Sequence, residues 1–127
     1  MTKEFVQTDA APAAIGPYSQ AVKANGFVFA SGQIPLDPAT GKVAEGGVGA
    51  QTRQAMTNLK NVLEAAGSSL EQVVKTTIFI RDMGGFGEVN EIYAEFVGAS
   101  LPARSCVEVA RLPKDVLVEV EAIALIS

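Results

Sequence analysis

The chain contains no histidine. That removes the side chain most used for proton transfer near neutral pH and the commonest metal ligand. A Ser-His-Asp or Cys-His nucleophile is excluded, as are a His-based zinc or iron site and the paired histidines of many ribonucleases. Tryptophan is also absent, aromatics make up only 6%, and Cys106 is the single cysteine. An internal disulfide is therefore impossible, and a reducing compartment, the cytoplasm, is the expectation. Lys and Arg number 10 against 14 Asp and Glu, a net charge of -4. With the cations scattered there is no basic patch to neutralise phosphates, so nucleic acid is not expected as a partner. No apolar run approaches the roughly 20 residues that span a bilayer, and the start of the chain has no charged segment leading into an apolar stretch. Neither export nor membrane insertion is expected. Any chemistry falls to carboxylates, Arg, Lys, Tyr, Ser, Cys or backbone groups.

What is present is a mostly aliphatic core, with 48% hydrophobic residues in 127. No linker or composition shift divides the chain, so residues 1–127 read as a single domain without internal repeats. Residues 18–23 and 27–33 are β-type runs joined by Ala24-Asn25-Gly26, and Asn-Gly signals a hairpin. Residues 34–49, with Pro35, Pro38, Gly41, Gly46 and Gly47, read as a turn-rich crossover with a short strand near Val43. Val48, Thr52, Ala55, Met56, Leu59, Val62, Leu63 and Ala66 follow helical spacing and stop at Gly67. Residues 74–81 alternate as a strand, and 82–87 read as loop. Phe86, Val89, Tyr93, Phe96 and Val97 mark a second amphipathic helix ending at Gly98.

In the last third, strands at 104–109 and 116–125 flank a loop, and a long hairpin is the simplest reading. The period of two puts Arg104, Cys106 and Glu108 on one face of the first strand, and Leu117, Glu119, Glu121 and Ile123 on one face of the second. With Val109 paired to Val116, Cys106 falls opposite Glu119 and Arg104 opposite Glu121, giving one charged and one aliphatic face. The aliphatic face suits the helices, which makes a two-layer α+β sandwich of at least five strands. The mixed face, shared with Leu117, Ile123, Phe27 or Phe29, is expected to be covered by another subunit of a closed oligomer.

The segment Pro102-Ala103-Arg104-Ser105-Cys106-Val107-Glu108-Val109-Ala110-Arg111-Leu112-Pro113-Lys114-Asp115-Val116, followed by Glu119, resembles the signature of the RidA/YjgF family of enamine and imine deaminases. Ala14-Ile15-Gly16-Pro17-Tyr18, Ser31-Gly32-Gln33-Ile34-Pro35 and Val89-Asn90 followed by Tyr93 match further blocks. The resemblance runs from about Ala10 to the end of the chain. It implies a chorismate-mutase-like fold with a mixed sheet of about six strands and two helices on one face. It implies a homotrimer with ligand sites between subunits, needing neither cofactor nor metal. The implied activity is hydrolysis of 2-aminoacrylate, 2-iminopropanoate and 2-iminobutanoate to 2-oxo acids and ammonia, which protects pyridoxal-phosphate enzymes. Tyr18, Ser31, Gly32, Asn90 and Cys106 match pocket positions, with Arg104 and Glu119 as the catalytic pair.

The residue types agree with that chemistry. A guanidinium grips a carboxylate through two parallel hydrogen bonds, which suits Arg104 to the fixed handle of a 2-imino acid. Water must add to the C=N carbon, and a carboxylate such as Glu119 can orient it and pass on a proton. Backbone N–H groups near Gly32 and Cys106 would complete the pocket, and Tyr18, Ser31 and Asn90 would line it. Spacing alone favours reading Arg104 and Glu119 as a cross-strand ion pair at a subunit interface, and it is the family resemblance that turns the reading to catalysis. Cys106, without a histidine, reads as a packing residue. Two other functions stay open: a non-enzymatic sensor of 2-oxo or 2-imino acids, and a ribonuclease or translation inhibitor, against which the missing histidine and net acidity weigh.

Overall fold

The first strand, β1 (Glu4–Val6), is too short for its periodicity to show in the sequence. It pairs antiparallel with β2 (Ala21–Ala24), which turns into β3 (Phe27–Gln33) with Ala24 opposite Phe27. Asn25 and Gly26 at the turn have φ of 55° and 84°, the positive pair that matches the twist of two antiparallel strands. In this computed structural model, which describes residues 2–126, β2 starts at Ala21 rather than Tyr18. The reason is a tight turn at Gly16-Pro17-Tyr18, closed by the Tyr18 N–H on the Gly16 carbonyl at 2.9 Å.

The crossover that follows carries an isolated bridge between Leu36 and Val43 where a short strand was expected. It leads into α1 (Gly47–Ala65), whose Thr52, Ala55, Met56, Leu59, Val62 and Leu63 form one buried stripe. Gly67, with φ of 86°, ends that helix as the Ser68 N–H turns back to the Leu63 carbonyl at 2.9 Å. β4 (Val73–Ile80) follows, then α2 (Phe86–Val97), β5 (Ala103–Glu108) and β6 (Val118–Leu125).

The sheet order is β1-β2-β3-β6-β4-β5, and β4 with β5 is its one parallel pair. Both helices pack on the face formed by Val28, Ala30, Ile78, Ile80, Val118, Val120, Ala122 and Ala124. Each fully buried Val or Ile side chain there contributes roughly 1.5–3 kcal/mol relative to exposure. The architecture is the α+β two-layer sandwich with a mixed six-stranded sheet. Among the described residues, no helix is long and apolar enough to cross a membrane.

The expected hairpin between β5 and β6 does not form. β4 lies between them, pairing parallel with β5 on one side and antiparallel with β6 on the other. Helix α2 is long enough to serve as the crossover that a parallel pair requires. The loop after β5 then spans the end of β4: the Val109 N–H bonds the Ile80 carbonyl at 2.9 Å and the Arg81 N–H bonds the Leu117 carbonyl at 3.1 Å. Within that loop Pro113–Asp115 makes a single 3-10 turn.

Polar groups inside the core hold the loops that flank the sheet ends. Asn58, fully buried on α1, donates through Nδ2 to the Ile34 and Leu36 carbonyls at 3.0 and 2.9 Å. Gln20 accepts from the Thr8 N–H at 2.7 Å and donates to the Pro12 carbonyl at 2.8 Å, tying the N-terminal segment to the start of β2. The face away from the helices carries Phe29, Thr77, Phe79, Val107, Glu119, Glu121 and Ile123, with Phe29 45% and Val107 41% exposed.

Candidate functional site

Arg104 stands level with Thr76 in the β4–β5 ladder, and Thr76 is fully buried under α2. The Arg104 side chain therefore leaves the sheet on the helix side and runs along α2. Its guanidinium carbon lies 5.3 Å from the centre of the Phe86 ring and 5.1 Å from that of Tyr93. Its Nη1 donates to Asn90 Oδ1 at 2.6 Å. Phe86, Asn90 and Tyr93 recur at the spacing that puts side chains on one helix stripe, so a single face of α2 cradles the cation. The group remains exposed, and a cavity of about 410 Å³ lined by Asn90, Tyr93, Val97, Leu101 and Arg104 opens beside it.

Glu119 is level with Phe79 in β6, and Phe79 is level with Val107 in β5. Since Val118 and Val120 are fully buried toward the helices, Glu119 points to the opposite face. There it lies over Gly32. The β3–β6 ladder shifts register between Ala30 and Gln33, an irregularity of the kind that re-aims a strand near its end. A Cβ on Gly32 would overlap the Glu119 carboxylate, so this glycine makes the room that the acid occupies. Half-burial pushes the Glu119 carboxyl above its ordinary range, and the charge of Glu121 on the same face adds to the rise.

Tyr18 and Gly32 line one cavity of about 360 Å³ together with Pro12, Ile15, Ile34 and Lys114. Tyr18 is exposed, and its phenol oxygen accepts from the Ile15 N–H at 3.4 Å. The Ser31 hydroxyl donates to the Ser19 carbonyl at 2.6 Å, and the Ser31 N–H bonds the Gln20 carbonyl at 3.0 Å. Ser31 thus fixes the strand beside the cavity and keeps only its lone pairs for a ligand. Cys106 is level with Ile78, half-buried and packed against the core. Burial pushes its thiol up while Arg104 pulls the other way, and a raised thiol holds less of the thiolate that attacks.

The sequence-derived residues therefore fall into two groups. Arg104, Cys106 and Asn90 gather where β5 meets α2, while Tyr18, Gly32 and Glu119 gather on the other side of the sheet. The expectation that Arg104, Cys106 and Glu119 share one face is corrected: inserting β4 between β5 and β6 reverses the side on which β5 presents its even-numbered residues. Neither Arg104 nor Glu119 is ion-paired among the described residues, so they are not a cross-strand salt bridge within the chain. Glu108, on the Arg104 side, accepts from the Met83 N–H at 2.8 Å and holds the start of α2. The aromatic cradle of Phe86 and Tyr93 was readable only as an apolar helix stripe. Its signal was the polar Asn90 set among those aromatics. Among the described residues, no cluster of three or more Cys, Asp or Glu is placed to hold a metal ion.

The class is thus an α+β two-layer sandwich with an exposed arginine cradled by α2 on one side of its sheet and a half-buried carboxylate on the other. Comparison with known proteins narrows this to one family. A family model described as Endoribonuclease L-PSP matches residues 8–126. A RutC family protein of Pyrococcus horikoshii is 57% identical over 122 residues, covering 96% of this chain and 97% of that one. A Salmonella typhimurium protein named 2-iminobutanoate/2-iminopropanoate deaminase is 54% identical over 123 residues, covering 94% and 95%. The crystal structure of Escherichia coli TdcF with bound serine has a TM-score of 0.93 at 46% identity, covering 98% and 99%. The chain belongs to this family, the RidA/YjgF proteins.

Proposed function

We propose that the protein is a single-domain cytoplasmic deaminase that hydrolyses 2-iminopropanoate and 2-iminobutanoate, or their enamine tautomers, in sites between the subunits of a homotrimer. The observation that carries this reading is the state of Arg104. Its guanidinium is oriented by α2 and exposed, with Asn90 as its hydrogen-bond partner and no carboxylate paired to it among the described residues. Such a group is ready for a ligand carboxylate. The 54% identity over 123 residues to the Salmonella typhimurium protein named 2-iminobutanoate/2-iminopropanoate deaminase supports the same reaction.

Because Arg104 and Glu119 leave opposite faces of one sheet, the pair acts together when Arg104 of one subunit meets Glu119 of a neighbour. Arg104 holds the substrate carboxylate. Glu119 orients a water against the C=N carbon and accepts its proton, which passes to the imine nitrogen as the C–O bond forms. The resulting carbinolamine expels ammonia as the C–N bond breaks and the carbonyl forms, giving pyruvate or 2-oxobutanoate. Electrons balance without a redox partner. A carboxyl raised by burial is a better proton carrier near neutrality than an ordinary one. By removing reactive imines the protein protects pyridoxal-phosphate enzymes.

A second reading has its own observation: the TdcF structure holds serine, as a protein that only binds small amino or oxo acids also would. One assay separates the two. Imine is generated in situ by an amino-acid oxidase, and its loss is followed with wild type, Arg104→Ala and Glu119→Gln. Acceleration by wild type, lost in both variants, supports the deaminase. Binding of 2-oxobutanoate without any acceleration overturns it in favour of the sensor.

A further inference from the structure

Tyr93 is 6% exposed and makes two contacts at once. Its hydroxyl shares a hydrogen bond of 2.7 Å with Thr76 Oγ1, and its ring lies under the Arg104 guanidinium. Thr76 is fully buried and is the β4 residue directly level with Arg104 in β5. The ring is therefore tethered at its far end to the strand that neighbours the one carrying the arginine. An aromatic that served only to fill space would need no hydroxyl there, and placing one in the core demands a partner.

We propose that Tyr93 is a positioning residue, locked by Thr76, that sets the plane of the Arg104 guanidinium and so the direction in which its fork meets a ligand carboxylate. A guanidinium has five N–H donors. Asn90 takes one on the helix side, while the Phe86 and Tyr93 rings hold the plane without consuming any. The rest of the fork is left for two parallel bonds to a carboxylate, a geometry that depends on the plane being fixed. The proposal rests on the reading of Arg104 as the carboxylate anchor, but the ordering of Arg104 is observable whether or not an imine is hydrolysed.

The test uses Tyr93→Phe, Tyr93→Leu and Thr76→Val in the full chain, with the Arg104 Nε–Hε signal followed by NMR and kcat and KM measured on 2-iminobutanoate generated in situ. Loss of a cation–π contact corresponds to about a 2- to 30-fold change. Tyr93→Leu is expected to average the Arg104 signal and raise KM about 10-fold, with kcat within about 2-fold of wild type. Tyr93→Phe keeps the ring and loses the tether, as Thr76→Val does, so each raises KM about 2- to 3-fold. Should Tyr93→Leu not fold, those two variants decide. A tyrosine that merely fills the core would lower Tm while leaving KM and the Arg104 signal unchanged, and that result overturns the proposal. If wild type does not accelerate imine loss, the deaminase reading fails, and the Arg104 signal alone decides: averaged in the variants it supports the positioning role, unchanged it ends it.

Discussion

Glu119 sits over Gly32 so closely that the space of its carboxylate is the space a side chain at position 32 would need. The glycine is thus required for steric reasons of the site. Gly32→Ala is expected to displace the acid and, under the proposed mechanism, to lower kcat by about 10- to 100-fold, as misplacement of a catalytic group does. Its melting temperature should stay within a few degrees of wild type, because the flexible end of Glu119 can move aside. Steady-state kinetics and calorimetry on the same preparation check this. An alanine variant with full kcat would show that the carboxylate need not lie there.

Glu119 also predicts a pH dependence whose sign follows from its environment. Burial first, and the Glu121 charge second, raise its carboxyl above the ordinary value of 4.5 in the folded chain. The folded state therefore holds that proton more tightly than the unfolded state. The stability gained this way is fully present below pH 4.5 and is lost as pH rises through the folded value. Relative to Glu119→Gln, wild type should lose stability over that window, measured by urea unfolding at several pH values. The proposed mechanism uses the ionised form, so activity is expected to fall on the acid side. Glu121→Gln removes the second cause of the rise and should move the acid limb of kcat to lower pH. A limb that stays in place would mean another group sets it.

How far these features were legible differs from element to element. Asn25-Gly26 and the α1 stripe announce themselves through local rules, turn chemistry and a period near 3.6, and the structure has both. The alternation in β6 correctly turns Glu119 and Glu121 away from the helices. The side taken by Arg104 was not legible, because it depends on which strand β5 pairs with. The partner is β4, joined through α2, while the neighbour in sequence is β6. Strand order is a nonlocal property, and period-two reasoning fixes which residues share a face within a strand but not which face two strands share. The closeness of Glu119 to Gly32 depends likewise on the register shift in β3, which no residue pattern announces.

Buried amides carry no catalytic signature in the sequence, yet they bear on stability. Asn58 is fully buried and satisfies two carbonyls of the segment that follows Gly32. Asn58→Ala removes its bond to the Leu36 carbonyl, while the Ile34 carbonyl keeps the Leu36 N–H at 2.8 Å, and an unsatisfied buried group costs roughly 1–3 kcal/mol. A loss of about 2 kcal/mol is expected from urea unfolding. Asn61→Ala removes a single exposed bond to the Ala10 carbonyl, at 2.8 Å, and should cost about 0.5 kcal/mol. Equal losses would contradict the role assigned to Asn58.

The placement of Arg104 and Glu119 on opposite faces of the sheet makes the sharpest prediction about assembly. If each site takes its arginine from one subunit and its carboxylate from a neighbour, Arg104→Ala and Glu119→Gln chains are defective in different halves of the site. Unfolded together in equal amounts and refolded, they form mixed oligomers. A site is then intact when its arginine comes from a Glu119→Gln chain and its carboxylate from an Arg104→Ala chain. Random assembly gives that combination at about one site in four, so about a quarter of wild-type activity should return. Were both residues supplied by the same chain, every site in the mixture would lack one of them and no activity would return. Mixing without refolding is the control: homo-oligomers that keep their subunits should stay inactive.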